Sequence, residues 1–137
     1  MDRLTVKDGF AKELYRIGVK ETAESIVDLF MHPTQHRDSK LNSLGNWYRG
    51  LNVIDRSFAD QLIRETAIAS MFDIAVMFDG GAGPLDIADG DATPVISISL
   101  TGDTEEADKD TDAIHICPTL MGEELHDLFM DVVDANA

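Results

Sequence analysis

The chain has 137 residues, of which 44% are hydrophobic and 27% charged, and its formal net charge is −15 at pH 7. This length is typical of one domain, and the hydrophobic content excludes a chain that stays unfolded. No apolar run reaches the roughly 18 residues of a membrane span, the first residues lack a secretory-signal pattern, and the single cysteine cannot form an internal disulfide. We therefore expect one cytoplasmic domain over residues 1–137, helical at 1–79, with a hairpin and a C-terminal helix at 95–134.

The N-terminal third predicts three helices. Apolar residues recur with helical period over residues 10–17, where Phe10, Leu14 and Ile17 form the stripe, and over residues 23–30. These two segments could also form one kinked helix, because Gly18 interrupts the pattern between them. A third helix is predicted at 39–51, and there the helical spacing requires Trp47 or Tyr48 to face the core.

A long fourth helix is predicted from Val53 to Phe78. Asn52 is suited to cap its N-terminus, and Gly80 follows its end. We expect its first half to be amphipathic. The predicted solvent side carries Arg56, Asp60 and Arg64, and the predicted buried side carries Phe58, Leu62 and Ala69. The second half is apolar nearly all round and should be buried by other elements or by another subunit.

The C-terminal part predicts two strands and a last helix. Residues 95–100 alternate with period two, and residues 113–117 can pair with them in antiparallel fashion. A helix from Gly122 or Glu123 to about Val133 would bury one apolar face. The predicted class is α+β: a mainly helical fold of about five helices, with a long central helix and a C-terminal antiparallel β-hairpin.

The net negative charge comes entirely from the second half of the chain. Residues 1–70 hold ten acidic and ten basic residues, whereas residues 71–137 hold sixteen acidic residues and Lys109 alone. Such a field attracts cationic surfaces and repels nucleic acid and anionic lipid. The residues predicted to bind a basic partner are Asp103, Glu105, Glu106, Asp108, Asp110 and Asp112, joined by Asp86, Asp89 and Asp91.

The acidic loop also invites a metal-binding interpretation. Asp108, Asp110 and Asp112 match the first three ligand positions of an EF-hand loop, but Ala113 stands where the loop needs glycine and Thr119 where it needs glutamate. A solvated hairpin tip is the better interpretation. The turn around Asp86, Asp89 and Asp91 is likewise explained by turn chemistry, so no metal and no cofactor are predicted.

Catalytic interpretations are weaker than structural ones throughout. His115 and Cys117 would share one side of a strand, but acidic neighbours do not activate a thiol. Asp73 is the one charge between Glu65 and Asp79, and either exposure, an ion pair or a place in a ligand groove would explain it. His126 is expected on the surface. No phosphate-binding loop, nucleophile elbow or zinc cysteine set is present, so we expect no enzyme.

Several short motifs form a recognisable order along the chain. They are Trp47-Tyr48-x-x-Leu51, Asp55-Arg56, Phe78-Asp79-Gly80 and Glu124-Leu125-His126-Asp127-Leu128-Phe129. This order resembles small bacterial proteins of uncharacterised function that share a helix, a hairpin and a Leu-His-Asp-Leu-Phe ending. The resemblance covers about residues 44–130 and implies the fold but no activity, partner or site residue.

These observations lead to a functional hypothesis with two alternatives. The leading hypothesis is a small acidic protein-binding module of the immunity or inhibitor type, which docks onto a basic partner such as a nuclease toxin. The first alternative is an accessory domain that forms a homodimer through the apolar half of the helix at 53–78. The second, ranked lower, is nucleic-acid mimicry. Neither direct nucleic-acid binding nor membrane association is expected.

Overall fold

The computed structural model is mainly helical in the part of the chain that it describes. The residues described are 3–32, 39–80, 85–86, 91–92, 96–98, 114–117 and 123–137. The helices are α1 (Arg3–Tyr15), a π-helical segment (Arg16–Glu21), α2 (Thr22–Met31), α3 (Ser39–Gly50), α4 (Val53–Phe78) and α5 (Leu125–Ala135). The strands are β1 (Leu85–Asp86), β2 (Asp91–Ala92), β3 (Ile96–Ile98) and β4 (Ile114–Cys117). No helix among these described segments is both long and apolar enough to span a bilayer.

The first two predicted helices form one continuous helical run, as the kinked alternative anticipated. A π-helical turn joins α1 to α2 and contains Gly18. Because a π turn takes in more residues than an α turn, it shifts which side chains face inward. Val19 is fully buried, whereas Ile17, predicted to lie on the buried stripe, is mostly exposed. The predicted position of Ile17 is therefore wrong.

A small core joins α2, α3 and the start of α4. The rings of Phe30 and Tyr48 pack with centroids 5.6 Å apart, and Ala59 completes the buried cluster. Arg49 donates a hydrogen bond from Nη1 to the Phe30 carbonyl oxygen at 2.6 Å, which ties α3 to the end of α2. Tyr48 is the inward-facing member of the Trp47-Tyr48 pair, and Trp47 is exposed.

The ends of α4 lie where the sequence predicts them. The Asn52 side-chain oxygen accepts the backbone N–H of Asp55 at 2.9 Å, and Asn52 Nδ2 donates to the Asp55 carboxylate at 2.6 Å. The first of these bonds satisfies a backbone amide that has no partner within the helix, and the second holds the two side chains together. Gly80 has φ of +82°, the left-handed conformation that ends helices and that glycine adopts without strain.

The predicted α+β class, in which a C-terminal β-hairpin is a main element of the fold, is wrong, because the described part of the chain is a helical protein. Its strands have two to four residues and occur in two-stranded antiparallel pairs, β1 with β2 and β3 with β4. Ile96 aligns with Cys117 and Ile98 with Ile114. Pairs this short bury too little surface to form a layer against which helices could pack. Helix-to-helix packing therefore builds the described fold.

Two compact units divide the chain. Unit 1 comprises residues 1–13 and 72–137, and unit 2 comprises residues 14–71. In unit 1, α5 buries Leu125, Leu128, Phe129 and Val133, which confirms the predicted amphipathic helix, with its start two or three residues later than expected. The single-domain interpretation of residues 1–137 stays a prediction.

Candidate functional site

An exposed apolar ridge follows the first half of α4. Ile54, Phe58 and Leu62 are spaced by four residues, and their exposed fractions are 69%, 64% and 67%. This spacing places all three side chains on one side of a helix. We call these three residues the α4 ridge. Phe58, Leu62 and Ala69 are predicted on the buried side of α4, and all three are exposed, so that prediction is wrong.

The polar line predicted to face solvent is instead turned toward neighbouring helices. Arg56 donates from Nη2 to the carbonyl oxygens of Arg49 and Leu51, at 3.1 and 3.2 Å, and its guanidinium carbon lies 5.5 Å from the centre of the Tyr48 ring. The carbonyl contacts bind Arg56 to the end of α3 and to the α3–α4 connection. An arginine whose guanidinium stacks on an aromatic ring and donates to carbonyl oxygens can lie at a packed surface, although Arg56 Nε is buried without a hydrogen-bond partner among the described residues.

The other two members of the polar line also have partners within unit 2. Asp60 accepts a hydrogen bond from the Tyr48 hydroxyl, and Arg64 donates from Nη2 to the Tyr15 hydroxyl at 3.2 Å. Burial of Tyr48, reinforced by its hydrogen bond to the Asp60 carboxylate and by the charge of that group, raises the pKa of Tyr48 to about 12. Because of these tyrosine contacts, α4 packs by its polar face and its apolar ridge is exposed.

A groove of about 450 Å³ runs beside the ridge between the π-helical segment, α2 and α4. It is lined by Gly18, Thr22, Ile26, Leu62, Ile63, Thr66, Ala67, Ser70 and Met71. Its hydroxyls are satisfied locally: those of Thr22, Thr66 and Ser70 donate to backbone carbonyl oxygens of their own helical segments at 2.7 to 2.9 Å. The groove therefore presents mainly hydrocarbon, and Leu62 joins it to the α4 ridge.

The Met71 side chain lies against Gly18 in the lining of this groove because residue 18 has no side chain. A Cβ atom at Gly18 would lie 2.2 Å from the Met71 sulfur, well inside van der Waals contact. The flexible thioether thus fills space that any other residue at position 18 would occupy.

Unit 1 carries an acidic face along α5. Asp127, Asp131 and Asp134 are exposed and follow the i, i+4, i+7 pattern of one helix face. The exposed Glu124 immediately precedes the helix, and α5 contains no lysine or arginine. We call Asp127, Asp131 and Asp134 the α5 acidic face. These residues are not among the predicted partner-binding residues, although their spacing is a sufficient signal.

Asp79 caps α5 from a distant part of the sequence. Its Oδ2 accepts the backbone N–H and the ring Nδ1 of His126, both at 2.9 Å, and its carboxylate also accepts the Leu125 N–H. Glu124, at the N-cap position, makes no side-chain cap hydrogen bond. Asp79 therefore does the work of an N-cap residue, with a side chain only 1% exposed.

The electrostatics of this cap favour an ionised Asp79. Burial alone raises the pKa of Asp79, but hydrogen bonds from the His126 and Leu125 amides and the His126 ring, together with the Lys7 charge, hold that pKa below its ordinary value. An ionised carboxylate only accepts hydrogen bonds, so Nδ1 of His126 carries the proton. Lys7 is itself buried and donates to the Glu123 carbonyl oxygen at 2.6 Å, beside the start of α5.

His126 also lies near two further carboxylates. Its Nδ1 is 3.3 Å from Glu124 Oε2, its Nε2 is 3.5 Å from Asp127 Oδ1, and the Phe72 ring packs edge-on against it. One ligand atom each from Asp79, Glu124 and His126 lie within 4.8 Å of one another, a spacing that a metal ion could use. Because the shared Asp79 oxygen already accepts a backbone amide and the imidazole, these contacts are those of a helix cap. The expected surface position of His126 is wrong, since it is half-buried in this cap.

The structure describes few of the acidic residues predicted to bind a partner. Asp86 lies in β1 and pairs with Asp91 in β2. The others lie outside the described residues: Asp89, Asp103, Glu105, Glu106, Asp108, Asp110 and Asp112. His115 and Cys117 lie two residues apart on β4, and Asp73 is exposed on α4.

Comparison with known proteins identifies no relative. No protein-family model, no curated protein and no solved structure matches the chain. The fold and its surfaces therefore define the class without a family: a small helical protein with an acidic face on one unit and an apolar ridge on the other.

Proposed function

We propose that the protein is a small acidic protein-binding module of the immunity or inhibitor type, and not an enzyme, that docks onto a basic partner such as a nuclease toxin. The observation that carries this proposal is the division of charge between the two units. Unit 2 holds seven acidic and seven basic residues, so the whole formal charge of −15 belongs to unit 1.

The α5 acidic face is the described part of this negative unit. Its three carboxylates share one side of a helix whose opposite side is buried, so the packing of α5 keeps them together at the surface. A field of one sign accelerates encounter with a cationic surface and disfavours anionic competitors. Enzymes that act on nucleic acids present such cationic clefts, and an acidic protein that covers the cleft blocks the substrate.

The acidic loop between β3 and β4 belongs to the proposed binding surface on the basis of its sequence alone. Its six carboxylates, at 103, 105, 106, 108, 110 and 112, would extend the field, and no cofactor is needed for this mode of binding. Nucleic-acid mimicry remains a lower-ranked alternative, in which the same carboxylates would take the places of phosphates.

The test measures association with purified basic nucleases of the bacterial toxin type, with polylysine as a non-specific reference. Binding should inhibit the nuclease and weaken at least about tenfold between roughly 50 and 500 mM salt, because screening shortens the reach of surface charges. Replacing Asp127 and Asp131 by asparagine should slow association severalfold. The matched control replaces Glu24 and Asp28, two exposed acids of unit 2, by glutamine and asparagine and should leave the rate unchanged.

Two results would overturn this mechanism. One is binding whose strength does not depend on salt. The other is an equal effect of the unit 1 and unit 2 charge variants, since only unit 1 carries net charge.

A further inference from the structure

The α4 ridge exposes more apolar surface than a helix packed on its own fold requires. Ile54, Phe58 and Leu62 each have about two thirds of their surface exposed. Large side chains exposed to this extent contribute on the order of 100 to 150 Å² each, or roughly 400 Å² for the three together. Apolar patches of this size on soluble proteins mark interaction sites.

The ridge and the adjoining groove together supply the area that a pair of identical chains needs. Two copies of the ridge alone would bury roughly 800 Å² in total, so the groove has to contribute for the interface to reach the roughly 1,000 Å² of specific interfaces. Leu62 belongs to both the ridge and the groove, so a helix laid along the ridge would extend onto the groove wall formed by Thr66 and Ser70.

The zero net charge of unit 2 favours a second copy of this chain as the occupant of the ridge, and not the basic partner proposed for unit 1. Unit 2 has no formal net charge, since its seven acidic and seven basic residues balance. Two copies of unit 2 can therefore approach without the net repulsion that two copies of the acidic unit would experience, and unit 2 as a whole offers a cationic protein no net attraction. Ser57 and Gln61, beside Phe58, are exposed and uncharged, and the exposed carboxylates on this side of α4 are Asp55 and Glu65.

We propose that the protein forms a homodimer in which the α4 ridges of two chains pack against each other in antiparallel orientation. The four-residue spacing suits ridge-into-groove packing of helices, and a twofold axis makes each contact occur twice. With Phe58 at the centre of the ridge, its ring packs against the same residue of the second copy, and Ile54 packs against Leu62 of that copy. This interface lies in unit 2, so it is independent of the proposed binding of a basic partner by unit 1.

The experiment compares sedimentation equilibrium of the full chain and its variants over a hundredfold range of concentration, without any partner. The wild type should show a reversible monomer–dimer equilibrium that persists at high salt. Phe58→Glu should raise the dimer dissociation constant at least about a hundredfold, because it places two carboxylates at the axis. Leu44→Glu makes the same kind of change at an exposed leucine of α3 and should leave the constant unchanged.

A mixing experiment tests the position of Phe58 itself. Phe58→Glu and Phe58→Lys should each be monomeric, and an equimolar mixture should recover a dimer, because opposite charges then meet at the axis. Circular dichroism verifies that each variant keeps the wild-type helix content. A wild type that stays monomeric at the highest concentration overturns the proposal, as does a dimer that Phe58→Glu leaves intact. A monomeric chain that binds an added amphipathic helix through Phe58 would assign the ridge to a different protein and also overturn it.

Discussion

Removing the Asp79 carboxylate should weaken the anchoring of α5 more than any surface substitution in the described helices. In Asp79→Ala, the amides of Leu125 and His126 lose their acceptor, as does the His126 ring. Loss of an N-cap acceptor costs about 0.5–2 kcal/mol, and a hydrogen bond to a charged group contributes about 1.5–3 kcal/mol. Because the Asp79 side chain is only 1% exposed, water has little access to replace these bonds. We expect the free energy of unfolding to fall by roughly 2–4 kcal/mol.

Urea unfolding at pH 7, followed by circular dichroism, measures this change. Asp79→Asn keeps a carbonyl acceptor but loses the charge, and it should cost about half as much as the alanine variant. Asp131→Ala, an exposed position on the same helix, is the control and should change the free energy of unfolding by less than about 0.5 kcal/mol. If Asp79→Ala unfolds with the wild-type free energy, Asp79 does not cap α5.

The stabilisation by Asp79 should depend on pH in one direction. The pKa of Asp79 is lower in the folded chain than its ordinary value of 3.8, so the unfolded chain takes up the proton first as the pH falls. The contribution of Asp79 to stability is therefore present above about pH 4 and is lost as the pH falls through the lower folded pKa. The difference between wild type and Asp79→Asn should be constant near neutral pH and shrink in acid. A difference that grows in acid would contradict an ionised Asp79.

Two further predictions concern unit 2. The pKa of Tyr48 is about 12 in the folded chain, against an ordinary value of 10.0. The contribution of Tyr48 to the free energy of unfolding should therefore be complete below pH 10 and disappear toward pH 12. Urea titrations of Tyr48→Phe should lack this alkaline dependence. Phe30→Ala should cost about 3–5 kcal/mol because the ring is buried, whereas Phe58→Ala, measured in dilute protein, should cost less than about 1 kcal/mol. Equal costs for the two phenylalanines would show that α4 packs by its apolar side after all.

The candidate surfaces differ in how far local sequence could predict them. The α5 acidic face was readable from the spacing of Asp127, Asp131 and Asp134 alone. The Asp79–His126 contact was not, because 47 residues separate the partners and no local pattern marks a cap supplied from elsewhere. The α4 ridge was assigned to the wrong side, since hydrophobic periodicity identifies two faces of a helix but cannot tell which one finds a partner.

Local chemistry by itself determined where α4 begins and ends. Asn52 and Gly80 mark the two ends of α4, as predicted, because capping and the left-handed glycine conformation depend only on neighbours along the chain. The tertiary structure decided the orientation of α4 and the class of the fold. Tyr15 and Tyr48 supply hydroxyl partners that make burial of Arg64 and Asp60 favourable, and the described strand pairs are too short to form a layer. Both outcomes depend on contacts between residues far apart in sequence, which no pattern along a single segment encodes.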